Sequence, residues 1–240
     1  MLFRVIDFET TGFPPEAGIC EVGWCDVETE GTTEKGLCDK IHVGSWQSEL
    51  ANPGRKIEIA AMAIHHIYEE DIANARKPED ILAELVPGVD YFVAHNAKFE
   101  KEFFKPNGLE WICTLKAAYR LCPKAPNHQN QTIRYYLNTP VNREDAIHSH
   151  RAGPDAYVTA HTLAKFLTAV PPAVLARWET EYTQFPFCPI GATERGKPWI
   201  EVERSFLAWI CRQPRMDQEI KHNAMMELDY RDGKRIRPGS

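Results

Sequence analysis

Two carboxylates near the amino terminus stand at a spacing that suits metal binding. Asp7 and Glu9 lie near the end of an apolar, β-rich run, LFRVIDF, which predicts a strand. Residues two apart along a strand project from the same face of a sheet, so both carboxylates can converge on one point. Hard cations such as Mg²⁺ and Mn²⁺ prefer such oxygen ligands. Because 34 of the 240 residues are acidic, a D-x-E pair arises often by chance and needs support from other residues.

Further candidate residues lie at the ends of predicted elements farther along the chain. His150 and Asp155 stand five positions apart at the start of a predicted helix, residues 150–168, where both can face one mouth of a sheet; a capping or surface pair is the alternative. Glu100 lies in the predicted helix HNAKFEKEFF, residues 95–104, whose phenylalanines are explained by inward packing, and its alternative role is a solvated charge. Four carboxylates with one histidine suit a two-metal site with its base.

Residues next to these candidates bear on the same chemistry. Thr10, Thr11 and Gly12 follow the first carboxylates, and small or hydroxylated residues let the backbone approach a ligand closely. His148 competes with His150 for the role of base, because both lie in the run HSH.

The elements that position these residues predict an α/β fold, with helices packed on a mixed sheet. Three early strands form an antiparallel meander, whereas each of two later strands is followed by a helix, as in βαβ units. The predicted strands are LFRVIDF (2–8), ICEVGWCDVE (19–28), LCDKIHVGS (37–45), YFVAH (91–95) and EWICT (110–114). Additional predicted helices cover residues 57–66, 77–86, 114–122 and 173–182. Pro154 is expected in the first turn of the long helix, where a proline is tolerated.

Composition indicates an ordinary globular protein. No apolar run approaches the roughly 20 residues that span a bilayer, and MLFRVIDFET lacks the features of a signal peptide, so we expect no membrane partner and a cytoplasmic location. The net charge of −6 argues against a basic coat for non-specific duplex binding, but it is compatible with a nucleic-acid substrate because a carboxylate-lined metal site is itself acidic. The seven cysteines form no CxxC pair and are expected to be reduced, partly buried thiols.

Three motifs in a fixed order carry a resemblance to a known family, the DEDDh group of 3′-to-5′ exonucleases. They are DFETTG (7–12), HNAKFE (95–100) and HRAGPD (150–155). The intervening segments AAMAIHHIYEEDI (60–72) and EWICTLKAAYRL (110–121) resemble its exonuclease X-like branch. The resemblance spans roughly residues 1–168 and implies a ribonuclease H-like fold with a five-stranded mixed sheet flanked by helices. One position departs from the pattern, because the second motif ordinarily ends in aspartate and this chain has Glu100.

The resemblance implies a metal-dependent 3′-5′ exodeoxyribonuclease that releases nucleoside 5′-monophosphates from DNA 3′ ends, preferably single-stranded or frayed. Two divalent ions, Mg²⁺ or Mn²⁺, would be held by Asp7, Glu9, Glu100 and Asp155, and His150 would take a proton from the attacking water. Because of Glu100, one alternative is a non-catalytic nucleic-acid-binding or polymerase-accessory module. A further alternative is an exonuclease that acts on RNA, and the oligomeric state stays open.

The same resemblance implies a set of residues that contact the substrate. They are Thr10, Thr11, Gly12, Met62, His65, His95 and Asn96. Thr11 and Gly12 would hold the terminal nucleotide through backbone contacts, and Met62, Ile64 and His65 would lie against its base or sugar. Core packing is the alternative for Met62 and Ile64, and a helix-capping role suffices for Asn96.

The chain is expected to contain an exonuclease domain and a small C-terminal module. The predicted parts are an exonuclease domain (1–170), a linker with a short helix (171–188), the module (189–231) and a disordered tail (232–240). The module resembles that of the exonuclease X-like branch. Its Arg195, Lys197, Trp199 and Trp209 suit either single-stranded nucleic acid, bound by charge and stacking, or a small core.

Overall fold

The computed structural model describes residues 1–237, which divide into two compact units. The first unit comprises residues 1–118 and 124–179, and the second comprises residues 119–123 and those from 180 onward. In the described residues, no single helix is long and apolar enough to cross a membrane; Ala152–Leu167 and Pro172–Thr180 meet that test of length and composition together, as a pair bent by 115°.

A five-stranded mixed sheet forms the centre of the first unit, as the sequence predicts. Its strands are β1 (Leu2–Thr10), β2 (Ile19–Thr29), β3 (Ile41–Leu50), β4 (Tyr91–Ala94) and β5 (Glu110–Cys113). The spatial order is β3-β2-β1-β4-β5, with antiparallel pairing among the first three and parallel pairing of β4 to β1 and of β5 to β4. The predicted meander and βαβ units are therefore present, although β3 begins at Ile41 rather than at Leu37.

Nine α-helices follow or connect these strands within residues 59–180. They are α1 (Ile59–His65), α2 (Glu69–Ile72), α3 (Pro78–Glu84), α4 (Ala97–Phe103), α5 (Thr114–Leu121), α6 (Asn130–Tyr136), α7 (Arg143–Ala146), α8 (Ala152–Leu167) and α9 (Pro172–Thr180). The helices α2, α6 and α7 were not predicted from the sequence. The helices α2 and α7 have only four residues each, too few for an apolar period, and α6 begins with three polar residues, NQT. Pro154 lies in the first turn of α8, as expected.

The core of this unit lies between the sheet and the helices packed on it. Ile6, Val22, Ile81 and Phe92 are fully buried there or nearly so, with Trp111 at the edge of the same cluster. Burial of one such large apolar side chain stabilises the fold by roughly 1.5–3 kcal/mol. The core therefore fixes β1 and its neighbours firmly enough to hold charged side chains at the end of that strand.

Two glycines allow the first turn of α8 to lie directly on the sheet. A Cβ on Gly23 of β2 would lie 2.0 Å from the carbonyl carbon of Ala152, and a Cβ on Gly153 would lie 2.3 Å from the ring of Trp46. Gly23 pairs with Asp7 across the β1–β2 ladder. Only a residue without a side chain permits this approach, which brings the start of α8 to the strand position opposite Asp7.

Gly23→Ala is expected to destabilise the fold by roughly 3 kcal/mol, because the added methyl group has no room beside the α8 backbone. Chemical denaturation of the two proteins measures the difference. Gly44→Ala on β3 is the matched control, since its Cβ would meet its nearest atom, the Asp26 carbonyl oxygen, at 3.4 Å. Equal losses from both substitutions would show that α8 does not need the close approach.

The second unit has its own small core. Its elements are a 3-10 turn (Trp199–Glu201), α10 (Arg204–Arg212) and α11 (Gln218–Arg231). Trp199 is buried with Leu207 and Ile210, and its indole Nε1 donates to the carbonyl oxygen of Phe185 at 2.9 Å. Trp209 is 41% exposed and stacks on the ring of Phe206. The structure therefore uses Trp199 in the core and leaves Trp209 at the surface.

The basic residues and the tail of this unit complete its description. Lys197 is paired with Glu194 at 2.9 Å, and Arg195 donates to the carbonyl oxygen of Pro189 at 3.1 Å. Residues 232–237 form turns and irregular backbone after α11, and residues 238–240 of the predicted tail lie outside the described residues. The assignment of residues 189–231 to a separate module remains a prediction.

Candidate active site

Three carboxylates converge at the end of β1. Asp7 and Glu9 project from the same face of that strand, and Asp155 comes from the first turn of α8. One oxygen from each of the three lies within 4.8 Å of the others. The close approach of α8 to β2 explains how residues about 150 positions apart meet, and carboxylates at this separation can share a divalent cation.

Glu100 and His150 line the same cavity, which has a volume of about 530 Å³. Glu100 projects from α4 and is only 3% exposed, and its Oε2 atom has no hydrogen-bond partner among the described residues. A buried carboxylate oxygen without a donor is unusual unless another group satisfies it. The structure thus brings all five predicted residues to one cavity. Glu100 is not one of the three carboxylates whose oxygens lie within 4.8 Å of one another.

Burial and mutual repulsion raise the pKa values of these carboxyl groups. The pKa of Asp7 is well above its usual value because of burial, with the charges of Asp155 and Glu100 adding to it. Burial, and then Asp155, raises the pKa of Glu9 to about 8. Burial also raises the pKa of Glu100 to about 8 and that of Asp155 to about 6. Several carboxylates held together out of water require a countercharge, so these residues fit the divalent ions that the family resemblance implies.

The loop before α8 places His150 beside these carboxylates. Its backbone has φ = 61°, in the left-handed region, and its N–H donates to Oδ2 of Asp155 at 2.7 Å. The side chain is exposed and lines the cavity, whereas His148 is not among the lining residues. Positive φ is uncommon outside glycine and is found at sites whose surroundings hold the conformation in place.

Hydrogen bonds to neighbouring parts of the chain hold the segment after β1 in place. The Thr11 N–H donates to the carbonyl oxygen of Gly18 at 2.8 Å, and its own carbonyl oxygen accepts from the Glu58 N–H at 2.9 Å. Its hydroxyl accepts from the Gly18 N–H, and the Thr10 hydroxyl donates to the carbonyl oxygen of Gly12. The backbone of Thr11 is therefore occupied in shaping the loop, and its predicted contact with a nucleotide remains a prediction, as do those of Thr10 and Gly12.

A second, smaller cavity of about 100 Å³ adjoins Glu9 and Thr10. Ile64 and His65 line it, and the exposed Phe13 stands at its edge. His65 is buried, its Nδ1 accepts from the Ile67 N–H at 3.0 Å, and burial lowers its pKa. Met62 is absent from this lining and is partly buried against the cluster of Cys20, Ile57, Ile67 and Ile72, and its contact with substrate remains a prediction.

His95 and Asn96 line the larger cavity, with different roles in the fold. The two ring nitrogens of His95 bond the Thr114 hydroxyl at 2.9 Å and the His128 carbonyl oxygen at 2.8 Å, and burial lowers its pKa to about 4. Asn96 is the residue before α4, as predicted, but its side chain does not cap the helix and its φ is 99°. The exposed side chain of Asn96 therefore lines the cavity instead of capping the helix.

Several residues of the cavity wall were not predicted from the sequence. They are Phe8, Phe99, Gln129, Asn130, Gln131 and Ser149. Phe99 was expected to pack inward, yet it lines the cavity, whereas Phe103 and Phe104 pack against the core. Asn130 opens α6 and donates through Nδ2 to the carbonyl oxygen of Asp155 at 3.0 Å. The polar run NHQNQ could have indicated this part of the cavity wall, because five consecutive polar residues provide no apolar side chain for core packing.

Comparisons with known proteins identify a family and relatives for this chain. A family model described as Exonuclease, RNase_T, matches residues 5–163. Exodeoxyribonuclease 10 of Escherichia coli K12 is 34% identical over 162 residues, which cover 68% of this chain and 67% of that protein. A PolC-type DNA polymerase III of Thermotoga maritima is 32% identical over 177 residues, 69% of this chain but only 12% of the polymerase.

Solved structures show the same likeness. One of exonuclease X in complex with 5′ overhanging duplex DNA is 30% identical, with a TM-score of 0.60 over 73% of this chain and 98% of that one. The nuclease domain of 3′hExo, a DEDDh family member bound to rAMP, is 12% identical with a TM-score of 0.53, over 71% of this chain and 93% of that one. The second likeness concerns the fold alone.

Proposed function

Because the chain belongs to the exonuclease family, within its DEDDh group, we propose that it removes nucleoside 5′-monophosphates from the 3′ ends of DNA. The convergence of Asp7, Glu9 and Asp155 on one point, with Glu100 and His150 in the same cavity, is the observation that carries this proposal. The names of its relatives, an exodeoxyribonuclease and an exonuclease bound to DNA, support DNA as the substrate.

In the proposed reaction the carboxylates of Asp7, Glu9, Glu100 and Asp155 would hold two divalent ions, Mg²⁺ or Mn²⁺. Such ions, when bound, offset the negative charge that gathers on the scissile phosphate and on the leaving 3′ oxygen. His150 accepts a proton from the water whose oxygen attacks the phosphorus atom. The bond from phosphorus to the 3′ oxygen of the penultimate nucleotide breaks, that oxygen takes a proton from solvent to become the new 3′-hydroxyl, and the terminal nucleotide leaves with its 5′ phosphate.

Single-stranded or frayed ends are the proposed substrate form. The small cavity beside Glu9 has room for part of one unstacked base, and apolar side chains stand at its edge, where Phe13 is 77% exposed and Ile64 is 49% exposed. Apolar and aromatic groups gain binding energy by stacking on a base, and the terminal base must separate from its partner strand to enter the cavity. This arrangement favours a terminal nucleotide that has already left the duplex.

An oligonucleotide assay tests the proposal. DNA labelled at its 5′ end should shorten stepwise in Mg²⁺ or Mn²⁺, and DNA labelled at its 3′ end should release a labelled mononucleotide first. The same sequences as RNA and as blunt duplex compare the sugar and the strand state, since only RNA carries a 2′-hydroxyl. Degradation no greater than that by Asp7→Ala in either metal would instead indicate a nucleic-acid-binding module, and faster loss of RNA would indicate the other substrate.

Glu100→Asp is expected to lower the turnover number in Mg²⁺ by about tenfold, because the shorter side chain withdraws the carboxylate by about 1.5 Å from the position that this cavity provides. Steady-state rates of wild type and variant in Mg²⁺ and in Mn²⁺ measure the effect. Glu102→Asp, at an exposed position on the same helix, is the control and should leave the rate unchanged. A rate in Glu100→Asp above that of wild type would mean that the cavity is better suited to the aspartate of the family motif.

A further inference from the structure

Glu21 is a buried carboxylate for which the proposed reaction has no use. It is 1% exposed and lies on β2 directly opposite Glu9 in the β1–β2 ladder. Directly opposite residues of an antiparallel pair share one face, with their Cβ atoms about 5 Å apart. Glu21 nevertheless lies outside the group of three converging carboxylates and does not line the large cavity. A fifth acidic group therefore stands next to the proposed cation site without being part of it.

The oxygens of Glu21 are bonded to the segment that follows His150. Arg151 donates to Oε1 through Nη2 at 2.8 Å and to Oε2 through Nε at 3.0 Å, and the Ala152 N–H donates to Oε2 at 3.1 Å. Ala152 is the first residue of α8, and the side chain of Arg151, the residue before it, does not cap the helix. Glu21 thus takes the place of a helix cap from a neighbouring strand, where a negative charge also suits the positive end of the helix dipole.

These bonds complete the attachment of the His150 loop. On one side the His150 N–H is bonded to Asp155 in the first turn of α8, and on the other side Arg151 and Ala152 are bonded to Glu21 on β2. The exposed imidazole of His150 stands between the two attachments. Loss of the Glu21 contacts would remove the ion pair and hydrogen bonds that tie this loop to β2 and leave only the packing of the first turn of α8 on the sheet.

We propose that Glu21 and Arg151 are positioning residues, which fix the His150 loop beside the carboxylates and together keep the charge next to the cation site neutral. The assignment of the loop to catalysis rests on the proposed function, whereas the effect on cation binding does not. In this pair the guanidinium of Arg151 offsets the charge of Glu21. Removal of one partner leaves the other as an uncompensated charge beside Glu9.

Binding of Mn²⁺ without DNA, measured by titration calorimetry, tests whether the Glu21–Arg151 pair keeps the charge beside the cation site neutral. Glu21→Gln leaves an unpaired cation and should weaken the affinity by about tenfold, whereas Arg151→Met leaves an unpaired anion and should tighten it by about tenfold. The double variant Glu21→Gln/Arg151→Met should return to within about threefold of wild type. Shifts in the same direction for both single variants, or no shift in either, would overturn this part of the inference.

Turnover tests the positioning role. Both single variants and the double variant should lose about 30-fold in kcat with little change in KM, because all three lose the two-bond pair between Arg151 and Glu21 that ties the loop to β2, while substrate contacts remain. Restoration of kcat in the double variant would overturn the positioning role. If wild type does not degrade DNA, the proposed function fails, but the opposite shifts in Mn²⁺ affinity still decide whether the charge inference holds.

A second ion pair on the same two strands provides the matched control. Arg4 donates to both carboxylate oxygens of Asp26, through Nε at 2.8 Å and Nη2 at 2.6 Å, and the two residues pair across β1 and β2. Five residues along a strand separate this pair from Glu9 and Glu21, roughly 17 Å. Asp26→Asn should leave Mn²⁺ affinity within about twofold of wild type, even though it breaks a similar pair. If Asp26→Asn shifted the Mn²⁺ affinity as much as Glu21→Gln does, general loosening of the sheet would explain both shifts, and the inference would be overturned.

Discussion

Asp7→Asn is expected to abolish exonuclease activity and, in the absence of divalent cations, to stabilise the fold. Asp7 lies among partly buried carboxylates, and burial raises its pKa, with the charges of Asp155, Glu100 and Glu9 adding to the shift. Asparagine keeps the shape and removes the charge, so the cation-free protein should gain roughly 1–2 kcal/mol in its free energy of unfolding. The same change removes an oxygen anion from the proposed cation site, and activity should fall by at least about 10³-fold.

Thermal unfolding in EDTA and in Mn²⁺ measures the two parts of this prediction. In EDTA the variant should unfold at a higher temperature than wild type. Addition of Mn²⁺ should raise the unfolding temperature of wild type and have little effect on the variant, because a ligand that binds only the folded state stabilises it. Asp80→Asn, at an exposed position on α3, should change neither quantity. A variant that is less stable than wild type in EDTA would contradict the electrostatic explanation of the site.

The fold and much of the site follow from local patterns in the sequence. Alternating and continuous apolar runs predict all five strands, and the two-residue period of β1 places Asp7 and Glu9 on one face. The apolar stripe predicts a helix over residues 150–168 with Pro154 in its first turn, and α8 begins two residues later than predicted, at Ala152. These features depend on a few neighbouring residues, so a single sequence is enough to predict them.

Contacts between distant segments could not be predicted in the same way. Glu21 and Arg151 are 130 positions apart, and nothing in their neighbours indicates that they meet. The approach of α8 to Gly23 is visible only once the sheet and the helix are assembled. The Asn96 side chain illustrates a local failure, because its left-handed backbone at φ = 99° turns a residue type that ordinarily caps helices away from that task. Tertiary packing decided each of these outcomes.

His150→Asn is expected to lower kcat by about 10³-fold, with little change in KM and with Mn²⁺ binding intact. The loss is that of a general base, which typically contributes 10²- to 10⁴-fold. Asparagine is the suitable replacement because it tolerates the left-handed backbone at φ = 61°, and the backbone N–H keeps its bond to Asp155. The substitution thus removes the imidazole and leaves the loop in place.

His148→Asn is the matched control, since His148 lies two residues away in the same HSH run and is not among the residues lining the cavity. Its rate should stay within about twofold of wild type. A larger loss from His148→Asn than from His150→Asn would assign the base to His148.

Comparison with Glu21→Gln distinguishes the role of the His150 imidazole from that of the residues that position its loop. His150→Asn should leave Mn²⁺ affinity unchanged because it alters no charged ligand, whereas Glu21→Gln should weaken it. If both substitutions weakened Mn²⁺ binding equally, His150 would act by holding the carboxylates rather than by accepting a proton.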